Sequence, residues 1–246
     1  MNILGIIPAR FTSTRFPGKP LVDIAGKTMI QRVYEQCQKA KSLTKVLVAT
    51  DNDQIHDHVL HFGGHVTMTA PEHQSGTDRC AEIASLHPDY DVYINIQGDE
   101  PFIDPEQIDT LCQCFNQTEP QIATLIKKIN TTEELINPNS PKVIINTKQQ
   151  AIYFSRTSIP FLRGEEIEKW LDKHTYYKHI GIYGYRKQTL LAITRLPISS
   201  LEYAEGLEQL RWIENGCTIQ TTITSKESWA IDTPEDLQKV LDMHTF

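Results

Sequence analysis

The sequence predicts an α/β fold: a mainly parallel, Rossmann-like central sheet with helices on both faces, plus a smaller mixed sub-sheet. Three observations predict it. In the first half of the chain, short strand-like apolar runs alternate with segments whose apolar residues recur at helical spacing. Further strand-like runs follow in the second half, joined by turn-rich pieces such as Asn137-Pro138-Asn139. The composition of the 246 residues, 39% hydrophobic and 22% charged, is that of a globular chain able to bury a large core. No internal repeat, low-complexity run or linker divides it, so one domain over residues 1–246 is the expectation.

Taken in order, Asn2 to Pro8 reads as a strand, followed by a long loop to about Lys27. Ile30, Val33, Cys37 and Ala40 then mark one face of a helix. Lys45 to Thr50 is the next strand, and Ile55, Val59 and Phe62 give a short helix closed by Gly63-Gly64. Ser75-Gly76-Thr77-Asp78 starts a helix with a Ser-x-x-Asp capping box, and Ile83 and Ala84 belong to its buried face. Val92 to Ile96 is a strand, after which Ile108, Leu111, Cys112 and Phe115 form an i, i+3, i+4, i+7 stripe. Strands and helices alternating at this spacing imply a parallel sheet covered on both faces, whose ligands bind beyond the carboxyl ends of the strands. That places Pro8-Ala9-Arg10, Thr50-Asp51 and Gln97-Gly98-Asp99 along one rim.

The second half is less regular. Ile122 to Ile126, Lys142 to Asn146, Ala151 to Ser155 and Tyr177 to Tyr185 read as strands. The last of these alternates, with His179, Gly181, Tyr183 and Tyr185 on one face and Ile180 and Ile182 on the other. Leu207, Leu210 and Ile213 mark a helix closed by Asn215-Gly216. Ile231-Asp232 is expected to end a short strand, and Thr233-Pro234-Glu235-Asp236 to start a final helix.

Charge narrows the functional classes. Lys plus Arg is 24 and Asp plus Glu is 31, a net charge of −7, which argues against a general nucleic-acid binder. No apolar run is long enough to span a bilayer, and the first residues lead straight into a strand, so a soluble cytoplasmic protein is expected. Five cysteines, Cys37, Cys80, Cys112, Cys114 and Cys217, lack Cys-x-x-Cys spacing and read as reduced, mostly buried thiols rather than a zinc site.

Candidate chemistry sits on the rim. The loop IPARFTSTRFPGKPL carries Arg10, Arg15 and Lys19 around a Pro17-Gly18 turn and matches neither the Walker A nor the Gly-x-Gly-x-x-Gly pattern. Its cations suit a triphosphate, or else merely offset the acidic surplus. HQSGTDR offers helix-start amides to an anion or a ribose, as many ordinary helix starts do. In QGDEP, Asp99 at a strand end fits a Mg2+ carboxylate, with Gly98 letting a ligand approach the backbone. Glu100 should point the other way, which leaves Asp232 in WAIDTPEDL as the second ligand, or as a plain capping aspartate. His179 on its alternating strand is read as a structural residue before a catalyst, and the same caution covers Arg156 and Glu208-Gln209.

Together these segments closely resemble the 3-deoxy-manno-octulosonate (KDO) cytidylyltransferase family. The resemblance rests on Ile7-Pro8-Ala9-Arg10, Ser13-Thr14-Arg15, Pro17-Gly18-Lys19-Pro20-Leu21, His73-Gln74-Ser75-Gly76-Thr77 and Gln97-Gly98-Asp99-Glu100-Pro101. It continues through Asn137-Pro138-Asn139, Phe154-Ser155-Arg156, His179 to Tyr185, Leu207 to Arg211 and Asp232 to Leu237, in order over nearly the whole chain. Arg163 to Tyr176 matches no motif, and Asp78 replaces a Glu that the family often shows.

The resemblance implies a nucleotide-diphospho-sugar-transferase fold, a Mg2+-dependent reaction and, usually, a homodimer. CTP and KDO would give CMP-KDO and diphosphate for lipopolysaccharide assembly. Carried over by position, Ala9, Arg10, Arg15 and Lys19 would hold the triphosphate, and Gln74, Ser75, Gly76 and Arg79 would seat the cytidine. Asp99 and Asp232 would bind Mg2+, and with Arg10 and Lys19 would form the catalytic set. Gln97, Arg156, His179, Tyr183, Glu208 and Gln209 would line the sugar-acid site. The anomeric 2-hydroxyl of KDO would attack the α-phosphorus in line, with no side chain required as general base. Pro-Ala-Arg followed by Pro-Gly-Lys-Pro-Leu fits the KDO type better than the sialate type and leaves an 8-amino relative of KDO open. A silent nucleotide-binding module is the reading from another class, against which Lys19, Asp99 and Asp232 all stand.

Overall fold

The structure, a computed structural model, describes residues 1–12 and 16–243. In chain order the elements begin β1 (Ile3–Ala9), β2 (Asp23–Ile24), β3 (Lys27–Thr28), α1 (Met29–Cys37), β4 (Lys45–Thr50), α2 (Asp53–His61) and β5 (Val66–Met68). They continue with α3 (Gly76–Leu86), β6 (Val92–Asn95), α4 (Pro105–Gln113), β7 (Ile122–Lys128), α5 (Thr132–Ile136), β8 (Lys142–Ile145) and β9 (Ala151–Ser155). The chain finishes with α6 (Trp170–Lys173), β10 (Tyr177–Arg186), α7 (Lys187–Ile193), α8 (Ser200–Glu205), α9 (Gln209–Glu214), β11 (Ile219–Ile223) and α10 (Pro234–Met243).

Among the described residues the main sheet runs β11-β7-β10-β6-β1-β4-β5. Every neighbouring pair is parallel except the two made by β10, which lies antiparallel between β6 and β7. The start of β10 also pairs with β8, and β8 with β9, which forms the smaller sub-sheet that the sequence predicts, antiparallel throughout rather than mixed.

The period-2 geometry of β1 shows why the sheet is covered twice. Ile3, Ile7 and Ala9 face a core with Ile30, Val33, Ile55 and Ile108 from α1, α2 and α4. Leu4 and Ile6 face another with Cys80, Ile83, Leu190 and Trp212 from α3, α7 and α9. Each fully buried Leu, Ile or Val contributes about 1.5–3 kcal/mol through removal from water. Helix starts are fixed locally: the Ser75 hydroxyl accepts from the Asp78 N–H at 3.1 Å, and the Asp78 carboxylate accepts from the Ser75 N–H at 3.0 Å. That is the capping box read from the sequence. The five cysteines are free thiols, three buried and two half-buried, and no helix among the described residues is long and apolar enough to cross a membrane.

The structure corrects one reading and adds to another. Ile231-Asp232 ends no strand: no ladder forms there, and the Ile231 N–H donates to the Asp99 carbonyl at 2.9 Å. Gly98 lines the rim cavity and also serves packing, because a Cβ there would sit 2.7 Å from the Pro8 carbonyl oxygen. The strand β11 and the short helices α5, α7 and α8 carry no clean periodic stripe, and the sequence reading did not assign them.

Gly184, where β10 crosses the core, is as constrained: a Cβ would lie 2.5 Å from Phe115 Cε2 and 2.9 Å from Ile94 Cδ1. Gly184→Ala is therefore expected to cost about 1–3 kcal/mol by overpacking. Urea unfolding checks this, and an unchanged midpoint would contradict it.

Candidate active site

The rim assembles as the strand order dictates. β1 delivers Pro8, Ala9 and Arg10, β4 delivers Thr50 and Asp51, and β6 leads into Gln97, Gly98 and Asp99. A cavity of about 490 Å³ opens there, lined by Ala9, Arg10, Lys19, Gly76, Gln97, Asp99 and Asp232 among others.

At its floor Lys19 Nζ donates to Asp99 Oδ2 at 2.7 Å and to Asp232 Oδ1 at 3.2 Å. Local sequence places the lysine: Gly18 takes the left-handed conformation (φ 71°), its N–H donates to the Phe11 carbonyl at 3.0 Å, and Lys19–Leu21 form one turn of 3-10 helix. Asp232 is placed by the start of α10. The Asp236 carboxylate accepts from the N–H groups of Asp232 (3.3 Å) and Thr233 (3.1 Å), and the Thr233 hydroxyl accepts from the Asp236 N–H at 3.2 Å. A separate small core of Ile24, Met29, Ile231 and Val240 ties that segment to the Lys19 side of the molecule. Side-chain exposures of 15%, 24% and 39% for Lys19, Asp99 and Asp232 leave the cluster partly screened by solvent, so it is worth a few kcal/mol at most.

The two carboxylates thus converge on one cationic atom. Among the described residues no group of three or more His, Cys, Asp or Glu side chains gathers as a complete metal site. Two carboxylates without a full protein cage suit Mg2+, which fills its remaining positions with phosphate oxygens and water. Glu100 is buried and lines a different cavity from Asp99, but β6 stops at Asn95 and the pair lies in a turn, so strand alternation does not set its direction. Burial, helped by the neighbouring charge of Asp99 and opposed by a hydrogen bond with Ser228, pushes its carboxyl up to about 7.

Arg10 donates through its guanidinium to the Gln74 carbonyl and so links the first loop to the start of α3. Gln74 is exposed, Ser75 is engaged in its cap, and Gly76 lines the cavity. Arg79 departs from the expected nucleotide contact. Its side chain is fully buried, pairs with Asp51 at 2.8 Å and donates to the Thr69 hydroxyl, so it braces the pocket wall from inside. Arg15 lies outside the described residues.

Toward β10, Gln97 Nε2 donates to the Gly181 carbonyl at 2.7 Å. That bond joins the first cavity to a second of about 690 Å³, lined by Glu100, Asn137, Lys178, His179, Gly181 and Trp229 among others. The two cavities meet where β10 carries a bulge between Ile180 and Tyr183. The His179 ring packs edge-on to Phe154 and against Tyr183, each at 5.1 Å between centroids, and burial pushes its pKa down to about 3. The imidazole is therefore neutral at working pH, in line with a non-catalytic role. Thr77 donates to the Glu208 carboxylate at 2.8 Å, and burial raises the pKa of Glu208. Among the described residues, Tyr183 Oη, Tyr185 Oη and Gln209 Nε2 are buried without a hydrogen-bond partner. Such orphaned groups mark a place where a polar ligand or water belongs.

Arg156 is more committed than its motif suggests. Its guanidinium donates to the carbonyls of Glu205 (2.7 Å, through Nε), Pro138 (3.0 Å) and Gly206 (3.2 Å), clamping two loops beside the site. Sequence reasoning missed Lys142, which is buried and donates to the carbonyls of Asn137 and Arg156. It also missed Thr124, which contacts His179. Thr124 had a visible signal, a hydroxyl in the middle of the apolar strand Ile122-Ala123-Thr124-Leu125-Ile126.

Comparison with known proteins agrees with this geometry. The family model described as cytidylyltransferase matches residues 4–223. The chain is 55% identical over 246 residues to the 3-deoxy-manno-octulosonate cytidylyltransferase of Parabacteroides distasonis, covering 98% of this chain and 97% of that one. It is 56% identical over 242 residues to the protein of the same name from Cytophaga hutchinsonii, covering 98% and 96%. A solved structure described as CMP:2-keto-3-deoxy-manno-octonic acid synthetase complexed with CTP superimposes with a TM-score of 0.91 at 42% identity, over 99% of this chain and 98% of that one.

The raised Glu100 carboxyl makes stability depend on pH. Between its ordinary value of 4.5 and about 7 the folded protein keeps a proton that the unfolded chain has lost, so stability falls as pH rises through that window. Glu100→Gln removes the titration. In metal-free buffer the variant should gain on the order of 3 kcal/mol relative to the parent across the window. Urea midpoints at both ends measure this, and a constant gap would contradict the assignment.

Proposed function

From the premise that this chain belongs to the cytidylyltransferase family, among the 3-deoxy-manno-octulosonate cytidylyltransferases, we propose that it transfers CMP from CTP to KDO, giving CMP-KDO and diphosphate. The observation that carries the proposal is the convergence of Asp99 and Asp232 on the Lys19 ammonium, on the rim where Arg10 meets the start of α3.

In this reading Arg10 and Lys19 hold the triphosphate and stay on the departing diphosphate, offsetting charge as the bond to the α-phosphorus breaks. Asp99 and Asp232 hold Mg2+, which when bound supplies Lewis-acid charge to the phosphate oxygens. The ends of β1 and β6 and the start of α3 fix the nucleotide in place, while the bulged part of β10 orients the sugar acid. Gln97, hydrogen-bonded to Gly181, couples the two sides, so the attacking 2-hydroxyl and the α-phosphate are set against each other by position. Neutral His179, Tyr183, Glu208 and Gln209 offer the sugar acid hydrogen bonds rather than a catalytic base, and Arg156 shapes the site by holding its loops. Arg79 acts on the cytidine pocket through Asp51 and Thr69. The reading carries with it a homodimeric, cytoplasmic enzyme whose product feeds lipopolysaccharide assembly.

Diphosphate release with CTP, KDO and Mg2+ tests the proposal. Release should need all three, and Asp99→Asn should lower kcat by roughly 100-fold or more. Release without KDO, or an unaffected variant, would overturn it.

A further inference from the structure

Thr124 sits on β7, fully buried and paired across the sheet with Tyr183 of β10 and Thr221 of β11. Its hydroxyl oxygen lies 2.8 Å from the Ile182 carbonyl, 3.2 Å from the Ile180 carbonyl and 3.0 Å from His179 Nε2. A threonine hydroxyl has one hydrogen to give and two lone pairs to offer, and both carbonyls can only accept. The hydrogen must therefore point at the carbonyls, since otherwise two acceptor oxygens would face the hydroxyl's lone pairs at hydrogen-bond distance. What remains for His179 is a lone pair, so Nε2 has to be the donor. The Tyr183 hydroxyl leans toward the same oxygen without reaching hydrogen-bond geometry, and any proton it offered would also use a Thr124 lone pair.

The geometry assigns to Thr124 the role of a positioning residue: it clasps the β10 bulge through the Ile180 and Ile182 carbonyls and locks His179 in the Nε2–H tautomer, leaving Nδ1 as a fixed acceptor for a hydroxyl of the sugar acid. Three further observations agree. No hydrogen-bond partner meets Nδ1 among the described residues, yet His179 lines the larger cavity and keeps part of its surface open. The imidazole cannot escape the constraint by taking a second proton at working pH, because burial holds it neutral. The bulge is also where Gln97 reaches the Gly181 carbonyl, so the clasp at Ile180 and Ile182 holds the backbone on which both sugar-side contacts depend. The assignment of Nδ1 to a sugar hydroxyl rests on the proposed KDO reaction, whereas the tautomer itself does not.

Two measurements keep these parts separate. In the ligand-free parent, nitrogen-15 NMR of the histidine side chains reports the tautomer directly, with the His179 signals identified by their loss in His179→Gln. The expected spectrum is that of a neutral ring protonated at Nε2, and a ring protonated at Nδ1 would overturn the assignment whatever the substrate proves to be. Steady-state kinetics then test the consequence. Thr124→Val, nearly isosteric, should raise KM for KDO by roughly 5- to 10-fold with KM for CTP unchanged, and Thr124→Ser should restore the parent value. Equal losses in both variants, or a fall in kcat with KM for KDO unmoved, would reduce Thr124 to a packing residue. If the valine variant does not fold, the parent's tautomer and the serine variant still decide.

Discussion

Two carboxylates brought together at the end of a buried sheet repel each other unless a cation lies between them, and the rest of this molecule is arranged around that requirement. Asp99 stands where β6 stops and Asp232 just before the last helix, and neither owes its position to the other's local sequence. Lys19 meets both through a turn that only Gly18, in the left-handed conformation, lets the chain make. The small core of Ile24, Met29, Ile231 and Val240 draws the C-terminal segment across to that turn. An arrangement held by one ammonium between two acids can accept a divalent cation in the same place once phosphate oxygens bring their own charge and the lysine is free to meet them.

β10 gives the fold its second property. Inserted antiparallel into an otherwise parallel run of strands, it separates the side built on β1, β4 and β6 from the side built on β7, β8 and β9. Its bulge is where the two sides touch, through Gln97 on one and Thr124 on the other. Position, rather than a proton shuttle, is what such a frame supplies, which agrees with a histidine held neutral and aromatic rings stacked behind it.

Much of this was legible in the sequence, for identifiable reasons. The rim formed by Ala9-Arg10, Thr50-Asp51 and Gln97-Asp99 follows from strand-helix alternation alone, because parallel strands end on one side. The Ser75 capping box is a local rule that tertiary structure left intact. What could not be read was which partner each polar side chain would choose. Arg79 and Arg156 sit in motifs that invite a ligand, yet one turns inward to Asp51 and the other spans three carbonyls, and a guanidinium's choice depends on residues far away in sequence. The place of β10 in the sheet was equally hidden, since a strand's alternation fixes its faces but not its neighbours. Asp232 was expected at the end of a strand and stands instead before a helix, because its position comes from the α10 cap and the distant small core.

In the proposed function Asp99 and Asp232 hold a divalent cation together with the triphosphate. Titrating Mn2+ by electron paramagnetic resonance against the protein, with and without a non-reacting CTP analogue, tests it most directly. The account predicts weak binding to the protein alone, and binding in the presence of the analogue at least about tenfold tighter than to protein or analogue separately, a gain lost in Asp232→Asn. Equally tight binding in that variant would show that the cation rests elsewhere, and the role given to the carboxylate pair would be wrong.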